Sequence, residues 1–482
     1  MCSHGLRRVS CAVAVATVAM GLAGPAAARP TVQGGVLACG PTHYRVHVGD
    51  TLWSIARRFK VGVRELAKAN ALNPRALLPV GLNLSVPRSR CAAATVAPAK
   101  ASSRSGALVG ALSRALATPG VSRTHTGVVV VDLDADAVVY RHNPEMPLEP
   151  ASTEKLPLAT AALLRLGTNF RTSTDVLGEG RLVGSAWRGS LVLKGFGDPA
   201  LTTGGLRALA HSVRKHGITA VTGRILGDES FFDDARTAPG WKPGFAKNES
   251  PLLSSLVVDR GLLDGAPVNH PALAAAILFT RALRAEGVWI AHDPAEGRAS
   301  SRAIRITRRT SPRLITLLGQ MDTWSDNFIA EMLLKQLGAR VAGHGTTAAG
   351  ARVVAATLAE NEIPLGGVRL ADGSGLSLLD RLTARTLAGT LETIAHTRSL
   401  HPLLATFAVA GATGTLRHRL LGVPDHQLVR GKTGTTDHSS ALAGFVGSRF
   451  AFAILCNGWP VSWTAAHLLQ DRVAEALLAE VR

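Results

Sequence analysis

A serine and a lysine three residues apart stand at the mouth of an apolar run, in Pro150-Ala-Ser-Thr-Glu-Lys-Leu-Pro157. Leu156 to Leu166 has the composition of a buried helix, and Pro157 suits a first turn, where its missing N–H forgoes no helical bond. A helix beginning at Ser152 puts Ser152 and Lys155 on one face, one turn apart. A serine hydroxyl is a poor nucleophile at neutral pH, and an amine that burial keeps partly unprotonated is a base for it. The N–H groups of the helix N-terminus favour a developing oxyanion. A reactive serine paired with a lysine buried in this way needs a rigid scaffold on every side, so this stretch constrains the fold more than any other.

Ser-x-x-Lys by itself is common in a chain with 53 basic residues. Ser212-Val-Arg-Lys215 fits the same pattern, but it lies in the amphipathic stretch Leu206 to His216 and reads as a solvated helix face. Ser152 differs in its company, because Ser325-Asp-Asn327 and then Lys432-Thr-Gly434 follow it. In that order the three motifs resemble the signature set of penicillin-recognising serine enzymes.

At 482 residues the chain accommodates two or three domains. Residues 1–28 read as a secretory signal: Arg7 and Arg8 form the basic region, Val9 to Leu22 the apolar region, and Ala26-Ala27-Ala28 a small-residue cleavage site. The mature protein is therefore expected outside the cytoplasm, in the periplasm or cell wall. The formal charge is +19, yet the basic residues are scattered and aromatics make up only 4%, so nucleic acid is not the expected partner. A basic exported protein is held near anionic wall polymers or headgroups, or is simply kept soluble by its charge. No Cys-x-x-Cys, His-Glu-x-x-His or carboxylate-rich loop of metal-binding spacing occurs, and the 16 histidines are dispersed, so neither metal nor cofactor is expected. Of the five cysteines, Cys456 ends the apolar run Phe450 to Cys456 and reads as a core thiol.

Thr42 to Pro87 reads as a compact βααβ unit: a strand at Tyr44 to Val48, a turn and cap at Gly49-Asp50-Thr51, helices at Leu52 to Phe59 and Val63 to Asn70, and a strand at Leu82 to Val86. Tyr44-x-Val-x-x-Gly-Asp-Thr-Leu-Trp-Ser-Ile-Ala56, with Asn70, Asn73-Pro74 and Pro79-x-Gly81, resembles a LysM module, which implies binding to the glycan strands of peptidoglycan. Leu52 and Trp53 are expected mainly in its core. Cys39 and Cys91 bracket the unit (39–91), and since its end strands should be adjacent, an exported location permits a disulfide between them. Residues 92–106, rich in Ala, Pro, Ser and Lys, read as a flexible tether.

From Ala107 a helix should lead into a hairpin of Gly127 to Asp132 and Ala137 to Tyr140. Three strands (Gln427 to Thr433, Ala441 to Gly447, Arg449 to Cys456) and a helix from Trp463 to Val481 should close the chain, with the terminal helices covering an antiparallel sheet. Gly195-Phe-Gly-Asp-Pro-Ala-Leu201, Gly227 to Asp234 with Pro239-Gly-Trp241, Ser250-Pro-Leu252 with Val258-Asp-Arg260, and Asp372-Gly-Ser-Gly-Leu-Ser377 resemble the penicillin-binding protein 4 type of D-alanyl-D-alanine carboxypeptidase, the S13 peptidase family. The likeness runs from about Gly106 to Arg482. It implies an α/β multidomain architecture: a serine penicillin-recognising, DD-peptidase/β-lactamase-like fold (107–482) interrupted by an insertion domain at about 168–300, plus the βααβ LysM module. Where the family continues the last motif with Arg, this chain has Leu378, and Ser374 reads as a structural turn near the site.

The resemblance implies acyl transfer with Ser152 as nucleophile and Lys155 as base, Ser325 relaying a proton to the leaving amine, and Asn327 bonding Lys155 and the substrate amide. Asp326 is expected only to cap its helix. Lys432, Thr433, Gly434 and Thr435 should line an edge strand that binds substrate: cation and hydroxyl for its terminal carboxylate, a glycine for close backbone approach, and N–H groups of Ser152 and Thr435 for the oxyanion, each worth roughly 3 to 4 kcal/mol. Peptidoglycan stem peptides are the implied substrate and β-lactams the implied covalent inhibitors. A β-lactamase-like hydrolase uses the same three motifs, and a non-catalytic peptidoglycan-binding adaptor relying on the LysM unit is a further alternative. Carboxypeptidase and cross-link endopeptidase action both cleave after D-Ala and are not separated by sequence.

Overall fold

The computed structural model describes residues 42–47, 50–59, 61–72, 78–87 and 103–482. The expected signal segment, Cys39, Cys91 and most of the expected tether lie outside the described residues.

The N-terminal unit is βααβ: β1 (Thr42–Arg45), α1 (Leu52–Arg58), α2 (Val63–Ala69) and β2 (Asn83–Val86), with β1 and β2 antiparallel. Thr51 and Ser54 cap α1 reciprocally, each backbone N–H bonding the other's hydroxyl at 3.0 Å. Asp50 fixes the preceding turn by accepting from the Tyr44 hydroxyl (2.9 Å) and the His47 N–H (2.7 Å). Leu52, Ile55, Ala56, Leu66, Ala67, Leu84 and Val86 form its small core.

Helix α3 (Ser103–Leu116) starts inside the stretch read as tether. Strands β3 (Thr126–Asp132) and β4 (Ala137–His142) form the expected hairpin, and a 3-10 turn, Ala151–Glu154, leads into α4 (Lys155–Leu166). The chain then leaves for a second unit containing β5 (Ser173–Val183), β6 (Ala186–Gly195), α5 (Thr203–Lys215), β7 (Ile225–Asp228), α6 (Pro271–Ala285) and β8 (Ile304–Thr310). β5 pairs antiparallel with β6 and β8, while β7 runs parallel to β6. The mixed sheet takes in β8, which lies beyond the insertion bound expected near 300. α5 and α6 bury Leu206, Leu209, Val213, Ala275, Phe279 and Leu283 against it.

The chain returns through α7 (Leu314–Trp324), α8 (Asn327–Val341), α9 (Thr347–Glu360) and α10 (Ala384–His396) to β9 (Ala408–Val409), β10 (Val429–Thr435), β11 (Ser439–Val446), β12 (Phe450–Asn457) and α11 (Trp463–Val481). The main sheet has the order β9-β10-β11-β12-β3-β4, antiparallel throughout. Its two faces are sorted by the period of two. Val129, Val131, Ala451, Ala453 and Leu455 point to the core shared with α4 and α10, whereas Val128, Val130, Phe450, Phe452 and Ile454 point to α3 and α11. Small alanines on the first face let α10 lie close to the sheet, and the Ala151–Glu154 turn packs against β10 and β11. Cys456 lies in the second core, and burial pushes its thiol up to about 12.

Candidate active site

The turn that carries Ser152 opens with Ala151 in the left-handed region (φ 45°) and fully buried, a conformation alanine adopts only when its surroundings impose it. Lys155, one turn on, is buried without exposure. Its Nζ donates to Ser152 Oγ at 2.9 Å, Asn327 Oδ1 at 2.8 Å and the Ser374 carbonyl at 2.6 Å. With two N–H bonds spent on Asn327 and Ser374, the neutral amine has its lone pair left for Ser152. Burial lowers the Lys155 ammonium from its ordinary value to about 8, against the opposing pull of Asp372, Glu331, Asp326 and Asp322.

Ser325 joins two helices: it is the left-handed C-cap of α7 (φ 64°), and Asp326 caps α8 by accepting from the Ile329 N–H at 2.9 Å. Asp326 also pairs with Arg260 of the insertion. The break between helices turns Ser325 Oγ toward Lys432, whose Nζ donates to it at 2.8 Å and to the Thr433 carbonyl at 2.8 Å. Lys432 is fully buried, and burial together with the charge of Lys155 holds its ammonium well below the ordinary range. Asp322 opposes that effect; its own carboxyl is raised to about 7 by burial, although it accepts from Thr406 Oγ1 at 2.7 Å. Ser152, Lys155, Ser325, Asn327 and Lys432 are thus joined in two hydrogen-bonded groups whose lysines sense each other.

Strand β10 is not strictly an edge. β9 pairs with it at Arg430 and Gly431 only, which leaves Lys432 to Thr435 open on that side. Thr433 Oγ1 donates to Thr415 Oγ1 at 2.7 Å, and Thr435 is exposed. Gly434 has a reason other than the expected approach of substrate: a Cβ there would stand 2.8 Å from the Pro150 carbonyl oxygen and 3.0 Å from the Ser152 amide nitrogen. The glycine lets the strand lie against the turn that carries Ser152. Ser212, the rival motif, sits on α5 with its hydroxyl on Thr307, remote from these groups in the fold.

The groups that hold this arrangement carry no catalytic signature in the sequence. Asp372 accepts from Gly375 N–H (2.7 Å), Ser377 N–H (2.8 Å), Ser374 Oγ (3.0 Å) and Trp241 Nε1 (2.8 Å), so the insertion is fastened to the loop that meets Lys155. Asn327 Nδ2 donates to the Glu249 carbonyl (3.1 Å), Ser377 Oγ to the Pro239 carbonyl (2.6 Å), and buried Lys335 to Asp233 and the Ala235 carbonyl. Pro239-Gly-Trp241 and Asp372-Gly-Ser374 were visible as landmarks. Their contact is not, because 131 positions separate Trp241 from Asp372.

A family model described as D-Ala-D-Ala carboxypeptidase 3 (S13) matches residues 108–264 and 264–479, and a LysM domain model matches 44–87. The chain belongs to the S13 family. It is a serine D-Ala-D-Ala peptidase with an N-terminal LysM domain. A carboxypeptidase of Mycobacterium tuberculosis is 30% identical over 385 residues, covering 71% of this chain and 81% of the relative. A D-alanyl-D-alanine carboxypeptidase of an Actinomadura species is 29% identical over 446 residues, covering 75% and 82%. The fold is similar to that in the crystal structure of penicillin binding protein 4 from Haemophilus influenzae, which superposes with a TM-score of 0.69 at 24% identity, over 77% of this chain and 99% of that one.

Proposed function

We propose that this S13 peptidase is exported, is held at the wall by its LysM domain, and cleaves the D-Ala-D-Ala bond of peptidoglycan stem peptides through an acyl-enzyme on Ser152. The single observation that carries the reading is the coordination of Lys155 Nζ by Ser152 Oγ, Asn327 Oδ1 and the Ser374 carbonyl. Lys155 takes the Ser152 proton as Oγ attacks the carbonyl carbon. The tetrahedral oxyanion is met by the N–H groups of Ser152 and Thr435. Collapse breaks the C–N bond while Ser325, bonded to Lys432, passes its hydroxyl proton to the leaving amine and is reprotonated by the proton that Lys155 took from Ser152, which leaves Lys155 neutral. Water then attacks the ester, the now neutral Lys155 taking its proton, and as the C–Oγ bond breaks Lys155 returns that proton to Ser152 Oγ. Lys432 and Thr433 receive the terminal carboxylate, and Asn327 orients both Lys155 and the substrate amide.

β-Lactams imitate the substrate and should acylate the same serine. The test is labelling of the mature protein with a fluorescent penicillin: native protein and Ser212→Ala are expected to be labelled, and Ser152→Ala is not. Persistent labelling of Ser152→Ala defeats the assignment. Rapid loss of the label by hydrolysis would favour a β-lactamase-like activity, and no labelling at all an adaptor. Product analysis on purified muropeptides separates carboxypeptidase from endopeptidase action, since release of free D-Ala and severing of cross-links give different masses.

A further inference from the structure

Glu331 is a fully buried carboxyl for which the proposed chemistry has no use. It lies four residues after Asn327 on α8, hence on the same helix face. Its Oε1 accepts the N–H groups of Gly373 (3.0 Å) and Ser374 (2.8 Å). The carbonyl of that same Ser374 accepts from Lys155 Nζ at 2.6 Å. One face of α8 therefore supplies one acceptor for Lys155 directly, through Asn327, and secures the other at one remove.

The loop it holds is wedged on both sides. A Cβ on Gly373 would meet the Ala330 carbonyl of α8 at 3.0 Å, and one on Gly375, whose φ is +78°, would meet the Ala151 carbonyl of the nucleophile's turn at 1.9 Å. The loop thus spans the gap between α8 and Ser152, and the Glu331 carboxyl sets the orientation of its Gly373 and Ser374 amides. The hydrogen bonds of Glu331 go to the loop, not to Ser152.

We propose that Glu331 is a positioning residue for acylation: by clamping the Gly373 and Ser374 amides it holds the Ser374 carbonyl against Lys155, so that the amine's lone pair stays directed at Ser152. An acceptor at this place is what matters, whether or not it is charged. The proposal rests on Lys155 acting as base for Ser152, which the labelling of Ser152→Ala tests separately.

The experiment measures kcat and KM on a soluble D-Ala-D-Ala peptide, and folding by thermal melting, for Glu331→Leu, Glu331→Gln and Glu331→Asp of the full mature chain. Glu331→Leu leaves both amides without an acceptor and is expected to lower kcat about 10²-fold with KM within threefold of native, the size of loss that a misplaced catalytic group gives. Glu331→Gln keeps an oxygen in place and is expected within about tenfold of native. Glu331→Asp draws the carboxyl back by one methylene and is expected to lose at least tenfold in kcat at native KM, which decides the matter should the Leu variant not fold. A folded Leu variant, or an Asp variant, with native kcat overturns the proposal. So does a Gln variant as impaired as Leu, because charge rather than the acceptor would then be the requirement. If the native chain itself neither labels nor turns over, the reading of Ser152 and Lys155 fails instead.

Discussion

Asn327 Oδ1 lies 2.8 Å from Lys155 Nζ although 172 positions separate the two residues in the chain. The contact exists because α7 ends at left-handed Ser325 and α8 restarts two residues later, presenting the first side chain of the new helix to the base of α4. Asn327→Ala should leave the amine free to turn away from Ser152 and slow penicillin acylation by about 10²-fold. Asn327→Asp should act differently. A carboxylate beside the ammonium favours the charged form, so the acid limb of the acylation profile should move to higher pH. Stopped-flow measurement of acylation across pH distinguishes the two, and an unmoved limb in Asn327→Asp would count against Lys155 as the base.

The native pH profile follows from Lys155 itself. Its ammonium is lowered to about 8, and only the neutral amine accepts the Ser152 proton. Acylation should therefore rise with pH and level off above roughly 8, with about one molecule in ten competent at pH 7. The groups that face Lys155 are Glu154 in its own turn, Asp372 on the adjoining loop, Glu331 and Asp326 on α8, Asp322 on α7 and Lys432 on β10. Lys155 and Lys432 sense each other's charge, so the midpoint belongs to the pair. A rate that falls between pH 6 and 8 would contradict the mechanism.

Gly434→Ala tests the seam between β10 and the nucleophile. The added methyl would stand 2.8 Å from the Pro150 carbonyl oxygen and 3.0 Å from the Ser152 amide nitrogen, both backbone atoms that cannot swing aside. The strand must shift outward, taking Lys432 and Thr435 with it. Acylation is expected to fall at least tenfold. Native acylation in Gly434→Ala would show that this seam tolerates movement.

The three motifs, the terminal strands and the closing helix were legible because each has a local cause. Alternation of apolar residues sorts Val128 to Val131 onto two faces, and Trp463 to Val481 is helical as read. Glu331 was not legible. It stands in the apolar stretch from Phe328 to Leu337, where a lone acid reads as an exposed position, and its partners arrive from a loop some 40 residues on: 42 and 43 positions separate it from Gly373 and Ser374. The seam at Gly434 escaped for the same reason, since what fills the space is the Pro150–Ser152 backbone from the far end of the chain. Likewise the place of β8 in the mixed sheet is fixed by pairing with β5, a long-range partner that periodicity in 304–310 does not announce.

The LysM domain offers a test in which wall binding and catalysis should separate. Asn70 ends α2 with its amide donating to the Leu66 and Ser85 carbonyls, each at 2.8 Å, and accepting from the Ser85 N–H at 2.7 Å. It is the polar link between the second helix and the returning strand. Removing it leaves two carbonyls and an N–H without partners in a domain whose core is small. At about 1 kcal/mol for each bond, Asn70→Ala should cost about 2 to 3 kcal/mol, a large part of what so small a unit has. The variant is expected to sediment poorly with insoluble peptidoglycan while releasing D-Ala from a soluble peptide at the native rate. Loss of both activities together would mean that the LysM domain takes part in the catalytic fold, and undiminished sedimentation would mean that Asn70 does not support the wall-binding unit.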